Sequence, residues 1–167
     1  MARRSSVNNL DRLYASLPYL LPIAAVVMFG AFLFVQFPPL FFAFFPVFKL
    51  NQILNISIID FISIRFVVWI CVFIFVVRSY KVNHFIRFNA MQALLLDVIV
   101  ALVGALTQIL EVALGRFEFF TFILQIIASV TFLGITAAFI YSVFQCVLGK
   151  YADKIPLISD VAYMQVR

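Results

Sequence analysis

Charged side chains are scarce in this sequence. They account for 11% of its 167 residues, whereas hydrophobic residues account for 66% and the mean hydropathy is +1.16. A soluble domain usually carries roughly 25% charged and 45–50% apolar residues. Because a soluble core of this size cannot hide so much apolar surface, lipid must be the solvent around most of the chain. The composition therefore excludes an ordinary soluble domain and predicts an integral membrane protein.

Residues that bind metals or form disulfides are also few. There is one histidine, His84, and there are two cysteines, Cys71 and Cys146, both inside apolar runs. The sequence contains no CxxC or HExxH spacing and no visible nucleophile–base pair. This inventory argues against a disulfide framework and a metal cluster. It predicts a protein that is not an enzyme, needs no cofactor and binds no nucleic acid.

The N-terminal apolar run has no signal-peptide cleavage site. Arg3 and Arg4 precede it, but it ends in VQFPP without a small-x-small motif, and it is too long for a signal-peptide core. We therefore expect a retained membrane helix. No presequence rich in Ser and Arg stands before it, so we expect the chain to be mature as written or made in the compartment where it works.

Four apolar windows are long enough to cross a hydrocarbon core of ~30 Å at ~1.5 Å per residue. They cover about 19–37, 58–77, 88–110 and 119–148. Backbone polar groups in lipid must be satisfied within the segment, which selects helices. The sequence thus predicts an all-α integral membrane protein, a single four-helix domain over 1–167 with a surface tail at 149–167.

Two connecting segments are less regular. Residues 7–17 place their apolar side chains on one face, which predicts a short amphipathic lead-in lying in the interface. Residues 38–57 are rich in Phe but interrupted by Pro38, Pro39 and Pro46. We interpret them as an interfacial or re-entrant connection between helices one and two, and not as a fifth span.

Basic residues are distributed unevenly between the predicted loops. Nine lie in the N-terminal segment, the loop between helices two and three, and the tail, while two lie in the other connections. The positive-inside rule then places both termini on the cytoplasmic or stromal side. Within the loop, Arg78, Lys81 and Arg87 are the predicted inner-side anchors. The nine are Arg3, Arg4, Arg12, Arg78, Lys81, Arg87, Lys150, Lys154 and Arg167; the two are Lys49 and Arg116.

Two charged residues fall deep inside predicted spans. Asp97 lies roughly 15 Å into helix three, and Arg65 lies roughly 18 Å from the inner end of helix two. A charge at that depth costs about 2.5–3.5 kcal/mol on insertion scales. We hypothesise that Arg65 and Asp97 contact each other, directly or through water. The alternative is that Arg65 extends toward the outer interface near Asp60 while Asp97 is protonated.

Helix three carries small and polar residues on one face, which begins at the polar first turns with Asn89 and Gln92. Such a stripe is either a helix-packing surface or the lining of a hydrated groove, and the sequence leaves both open. Gln125 opens a weaker polar face on helix four. The stripe consists of Ala90, Ala93, Asp97, Ala101, Gly104, Gln108 and Glu111.

The tail is too mixed in character to span a membrane. We expect it to run along the inner surface after Gly149, which ends helix four as its C-cap. Both an ordered tail that binds a partner and a loose tail fit the sequence.

Three motifs carry a resemblance to a known family: LPYLLP at 17–22, RFNAMQALLLD at 87–97 and IPLISDVAYMQV at 155–166. They resemble the "Tic twenty" family, the small membrane subunit of the translocon at the chloroplast inner envelope. The resemblance implies four spans with both termini in the stroma. It further implies a channel-forming or channel-associated role in preprotein import, with other translocon subunits, preproteins and lipid as partners. The matching positions are Arg87, Asn89, Gln92 and Asp97, and the family brings no catalytic residues.

Other functions stay open beside this one. A structural or assembly subunit without a conduit would use the stripe as a packing surface. A small-solute transporter ranks lower because no inverted repeat is apparent between helices one–two and three–four. The expected location is the plastid inner envelope membrane, and the alternative is a cyanobacterial plasma membrane.

Overall fold

The structure, a computed structural model, describes residues 8–59, 62–153, 155 and 158–166. This part of the chain is mostly helical and includes one two-stranded antiparallel hairpin. Arg3, Arg4, Asp60, Lys154 and Arg167, which the sequence arguments used, lie outside the described residues. The elements in chain order are α1 (Asn9–Gln36), α2 (Pro38–Leu54), β1 (Ser57–Ile59), β2 (Ile62–Ser63), α3 (Ile64–Val77), α4 (His84–Leu114), α5 (Glu118–Val147) and α6 (Ile158–Gln165).

Three helices are long and apolar enough to cross a membrane: α1, α4 and α5, with 28, 31 and 30 residues. They correspond to the predicted first, third and fourth windows, so a helix in each of these windows is confirmed. All three start before the predicted boundary. The extension is largest for α1, where the predicted lead-in is continuous with the first span through short 3-10 turns at Leu17–Tyr19 and Val27–Gly30.

The amphipathic lead-in has a well-defined start. The side chain of Asn8 accepts from the backbone N–H of Asn9, and Asp11 Oδ2 accepts in return from the N–H of Asn8 at 3.1 Å. These bonds satisfy backbone donors that the first turn leaves open. Leu10 and Leu13 are more than half exposed on this helix, as expected for a face that meets lipid or another chain.

The predicted second span, 58–77, is wrong in its first third. Ser57–Ile59 and Ile62–Ser63 pair as the antiparallel hairpin β1–β2 instead of forming a helix. The described residues are mostly helical, as predicted, and this short hairpin is the departure from an all-α fold among them. The helix begins only at Ile64, where the Ser63 side chain accepts from the N–H of Phe66. It has eight α-helical residues and six in a π-helical turn. At ~1.5 Å per residue these 14 residues reach about 21 Å, less than a full bilayer crossing.

The segment 38–57 is a helix over most of its length. Pro38 and Pro39 occupy the first positions of α2, where a missing N–H is tolerated, and the helix continues through Pro46. The three prolines therefore do not interrupt the segment as predicted. α2 folds back along α1: Phe34 packs against Phe48 at a ring distance of 5.3 Å, and Leu54 joins Leu21 and Ala24 in one buried cluster.

The core lies at one end of the helix bundle. The first halves of α1 and α4 and the last part of α5 meet there, and Tyr19, Phe88 and Cys146 are fully buried. We call this the basic end, because Arg12, Arg78, Lys81 and Arg87 all lie there. At the opposite end, the far end, the second half of α4 and the first half of α5 are largely exposed.

The tail is ordered where the structure describes it. Its helix α6 packs against α4, with Ala162 and Val166 buried beside Phe88 and Met91. The described part of the tail is therefore packed and not loose, while partner binding by the tail stays a prediction.

The turn that leads into the tail depends on Gly149. Its φ is +69°, a left-handed conformation, and a Cβ there would lie 3.2 Å from Arg12 Nε. We expect Gly149→Ala to lower the free energy of unfolding by more than about 1 kcal/mol. Gly134→Ala is the matched control, since a Cβ there meets nothing within 4 Å in an ordinary helix; it should be neutral or stabilising. Denaturant titration in detergent, followed by circular dichroism, measures both, and equal losses would contradict this role for Gly149.

Candidate functional site

The two deep charges form an ion pair. Arg65 Nη2 lies 2.5 Å from Asp97 Oδ1, and the same nitrogen donates to the backbone oxygen of Leu21 at 2.6 Å. The Arg65 and Asp97 side chains are only 17% and 8% exposed. The hypothesised contact is therefore present. It joins α1, α3 and α4 near the middle of α4, about 20 Å from His84 along the helix axis.

A second polar cluster is fully buried nearer the basic end, and we call it the polar core. The Tyr19 hydroxyl lies 3.1 Å from both Asn89 Oδ1 and Gln92 Oε1, and it can donate its one proton to either. The thiol of Cys146 lies 3.3 Å from the same Asn89 oxygen. Asn89 also donates to the Phe85 backbone oxygen at 2.8 Å. Three helices, α1, α4 and α5, thus meet at Asn89.

The polar core also fixes the tail. Gln92 Nε2 donates to the backbone oxygen of Ala152 at 2.9 Å and lies 3.3 Å from Ser159 Oγ. Ser159 donates to the same Ala152 oxygen at 3.0 Å and accepts from the N–H of Ile155 at 3.2 Å. Because buried polar groups are costly when unpaired, these bonds specify one position for the start of α6.

Aromatic rings close the cluster on the side of the tail. Phe88 and Tyr163 lie 4.3 Å apart between ring centroids, and Phe88 and Tyr151 lie 5.3 Å apart. Burial raises the pKa of both tyrosine hydroxyls. They therefore remain neutral at physiological pH and act in packing and hydrogen bonding.

The predicted anchors at the basic end differ from one another. Arg78 and Lys81 are exposed, as expected for side chains that reach the interface. Arg87 is only 8% exposed; its Nε donates to the Val77 backbone oxygen at 2.9 Å, and its guanidinium lies 5.2 Å from the Tyr80 ring centre. Arg87 is thus a positioned side chain within a pocket.

A shallow groove opens between α4 and α5 at the far end, and we call it the far groove. It has a volume of about 420 Å³. Thr107 and Thr121 add hydroxyls to it. Phe29 of α1 forms its floor near Gly104: a Cβ added to Gly104 would lie 3.4 Å from the Phe29 ring. Four residues singled out from the sequence line it: Gly104, Gln108, Glu111 and Gln125.

The polar stripe of α4 therefore divides into two parts. Its first half, with Asn89, Gln92 and Asp97, is buried in contacts between helices, as a packing surface would be. Its second half, with Gln108 and Glu111, is exposed in the far groove. The packing interpretation is confirmed for the first half, and the hydrated-groove interpretation stays a prediction for the second half.

Sequence reasoning missed several members of the polar core. Tyr19, Cys146 and Ser159 lie far along the chain from Asn89 and Gln92, at separations of 57 to 73 residues. Only the polar residues of α4 gave a signal, because they stood in an apolar run. Within the described residues no group of three or more His, Cys, Asp and Glu side chains is placed to hold a metal ion.

The fold and the buried polar contacts together define a structural class of protein. The chain is a helical membrane protein with three spanning candidates, a short apolar helix, and an ion pair and polar core in its interior.

Comparison with known proteins then gives the family. The family model described as "Chloroplast import apparatus Tic20-like" matches residues 7–162. The chain is 36% identical over 168 residues to a Tic20 family protein of Synechocystis sp., covering 100% of this chain and 99% of that protein. It is 33% identical over 157 residues to Protein TIC 20-II, chloroplastic, of Arabidopsis thaliana, covering 93% and 72%. It is 26% identical over 161 residues to Protein TIC 20-v, chloroplastic, of the same plant, covering 96% and 73%. The chain belongs to the Tic20-like family, as the three sequence motifs indicated.

Proposed function

We propose that this protein is a subunit of a complex that moves preproteins across the plastid inner envelope membrane, as a channel-forming or channel-associated component. Membership of the chloroplast import family supports the process. The observation that carries a conduit role is the far groove, where Gln108, Glu111 and Gln125 lie exposed between otherwise apolar helices. Polar side chains at that place are tolerated in a membrane when water or a polar chain reaches them.

We further infer four crossings, the second of which is discontinuous. α2 runs back along α1 from the far end to the level of Leu21, and α3 starts at that level with Arg65 and ends beside Arg87. Together they would cross the membrane as two half-length helices with the hairpin β1–β2 between them. The distribution of basic residues would then place both ends of the chain on the stromal side.

The position of the hairpin supports assembly with partner subunits. It immediately precedes Arg65, which pairs with Asp97 near mid-depth, and Ile58 is exposed. Short strands with open edges are not stable against lipid, but they are tolerated against protein or a hydrated cavity. We therefore expect other translocon membrane subunits to cover this side. Four crossings are also too few to enclose a polypeptide without further subunits.

Site-specific crosslinking tests the conduit role. We expect photo-crosslinkers at Gln108 and Gln125 to react with a preprotein arrested in translocation, because both side chains line the far groove. Leu106 is the matched control: it is 56% exposed on the same part of α4 but is not among the groove residues. It should react with lipid or neighbouring subunits and not with the preprotein.

The opposite result identifies the second candidate function. Crosslinks from all three positions to lipid or membrane subunits alone would contradict a conduit at this groove. They would favour a structural subunit without a conduit. The buried first half of the stripe is the observation that keeps this alternative in view, since Asn89, Gln92 and Asp97 all serve contacts within the chain.

The proposed function also implies a particular membrane as the location of the protein. The family relatives include two chloroplastic proteins and one from Synechocystis sp.. We propose the plastid inner envelope, and a cyanobacterial plasma membrane is the alternative.

A further inference from the structure

A second pocket lies at the basic end, between α3, α4 and the tail, and we call it the arginine pocket. Its volume is about 410 Å³, and two of the six described residues that line it are arginines, Arg78 at the start of the loop 78–83 and Arg87 in α4. Phe73 and Val77 of α3 form an apolar wall. The lining residues are Phe73, Val77, Arg78, Tyr80, Arg87 and Gln165.

Arg87 is held in this pocket in a fixed orientation. The bond from its Nε to the Val77 oxygen fixes one edge of the guanidinium, and the Tyr80 ring covers one face. Its two Nη groups make no hydrogen bond to the described part of the chain, in which the only ion pair is Arg65–Asp97. Arg87 is only 8% exposed and is not neutralised within this part of the chain. Because a buried charge without a counter-charge is costly in free energy, binding of an anion beside Arg87 would be favourable.

The geometry favours an oxyanion of the phosphate type. A guanidinium fixed at Nε presents its remaining N–H groups as a planar fork, which fits two oxygens of a phosphate. Arg78 adds a second positive charge immediately after α3, and Gln165 adds an amide from α6. Among the described residues that line the pocket there is no carboxylate, so none of these side chains repels an anion.

The surroundings indicate where the anion comes from. Arg78 directly follows the apolar helix α3, and Arg87 lies in the first turns of the spanning helix α4. The pocket is therefore placed where an apolar helix surface gives way to the headgroup layer of a membrane. Phe73 and Val77 of α3, which form the apolar wall of the pocket, offer a surface for the first part of an acyl chain. Basic pockets between helices at this depth are suited to anionic headgroups.

We propose that the arginine pocket binds the phosphate group of an anionic membrane lipid. The lipid would neutralise Arg87 and link α3, α4 and the tail helix α6 at one membrane surface. It would do so independently of whether the far groove conducts a polypeptide.

Lipid retention measured by native mass spectrometry tests this proposal. The full-length protein is exchanged into nanodiscs of phosphatidylcholine with or without phosphatidylglycerol, and the phosphatidylglycerol carried through release is counted. We expect Arg87→Gln and Arg78→Gln each to weaken phosphatidylglycerol binding by about tenfold or more, because each removes charge-assisted hydrogen bonds. Arg116→Gln is the matched control, an exposed arginine in the turn between α4 and α5, and should bind as the unmodified protein does.

Arg78→Gln protects the test against misfolding, because Arg78 is exposed. Equal binding by all three variants would overturn the proposal. A parallel titration with inorganic phosphate in neutral nanodiscs separates the two sources of the anion. Phosphate binding as tight as that of phosphatidylglycerol would overturn the lipid assignment, and much weaker phosphate binding would support it.

Discussion

Replacing Asp97 by leucine alone is expected to destabilise the protein by about 3–5 kcal/mol, since it leaves the Arg65 charge buried without its partner. Asp97→Asn should cost less, because the amide oxygen can still accept from Arg65. The measurement is the free energy of unfolding in mixed micelles, from a denaturing-detergent titration followed by circular dichroism.

The double replacement Arg65→Leu with Asp97→Leu separates the pair from either residue. Two well-packed apolar side chains avoid the desolvation cost of both charges, so we expect the double variant to recover most of the stability lost by Asp97→Leu. If the double variant is as unstable as the single one, Asp97 acts through contacts of its own. If its stability recovers while preprotein import does not, the charges themselves serve transport.

Replacing Gln92 by leucine is expected to cost about 1–3 kcal/mol and to release the tail. The change removes the donor to the Ala152 oxygen and one of the two acceptors near the Tyr19 hydroxyl. Buried groups that lose a partner carry a penalty of this size. Limited proteolysis should then cut within 150–166 faster than in the unmodified protein.

Gln108→Leu is the matched control for this prediction. It makes the same substitution on the same helix, but Gln108 is exposed in the far groove and makes no hydrogen bond to the described residues of the tail. We expect little change in stability or in tail cleavage. Equal tail cleavage in the two variants would contradict the role of Gln92 in holding α6.

Much of the helical architecture follows from residue type alone. Apolar length fixes α1, α4 and α5, because each residue in lipid adds its own transfer free energy and the sum decides whether a segment inserts. The Arg65–Asp97 contact could also be predicted from the sequence. Two opposite charges at matching depth on neighbouring helices carry a cost in lipid that each can offset for the other.

Other features depend on partners that lie far apart along the chain. The hairpin β1–β2 stands where hydropathy indicated the start of a span, because an Ile-rich stretch satisfies a helix and a buried strand equally well. The polar core could not be predicted from the sequence, because its members come from segments far apart along the chain. Asn89 and Gln92 stand in an apolar run, which indicates that each needs a polar partner. Nothing in the segments around Tyr19 and Ser159 marks these two residues as the partners.

The sequence by itself determined that this is a membrane protein of a known family with three long helices. It also placed Arg65 and Asp97 at similar depths, where they can pair. Only the tertiary structure decided which part of the α4 stripe is buried and which part is exposed. Its first half is covered by α1, α3, α5 and the tail, while its second half opens into the far groove. The physical reason is that periodicity places residues on a face of a helix, whereas the packing of distant segments decides what that face meets.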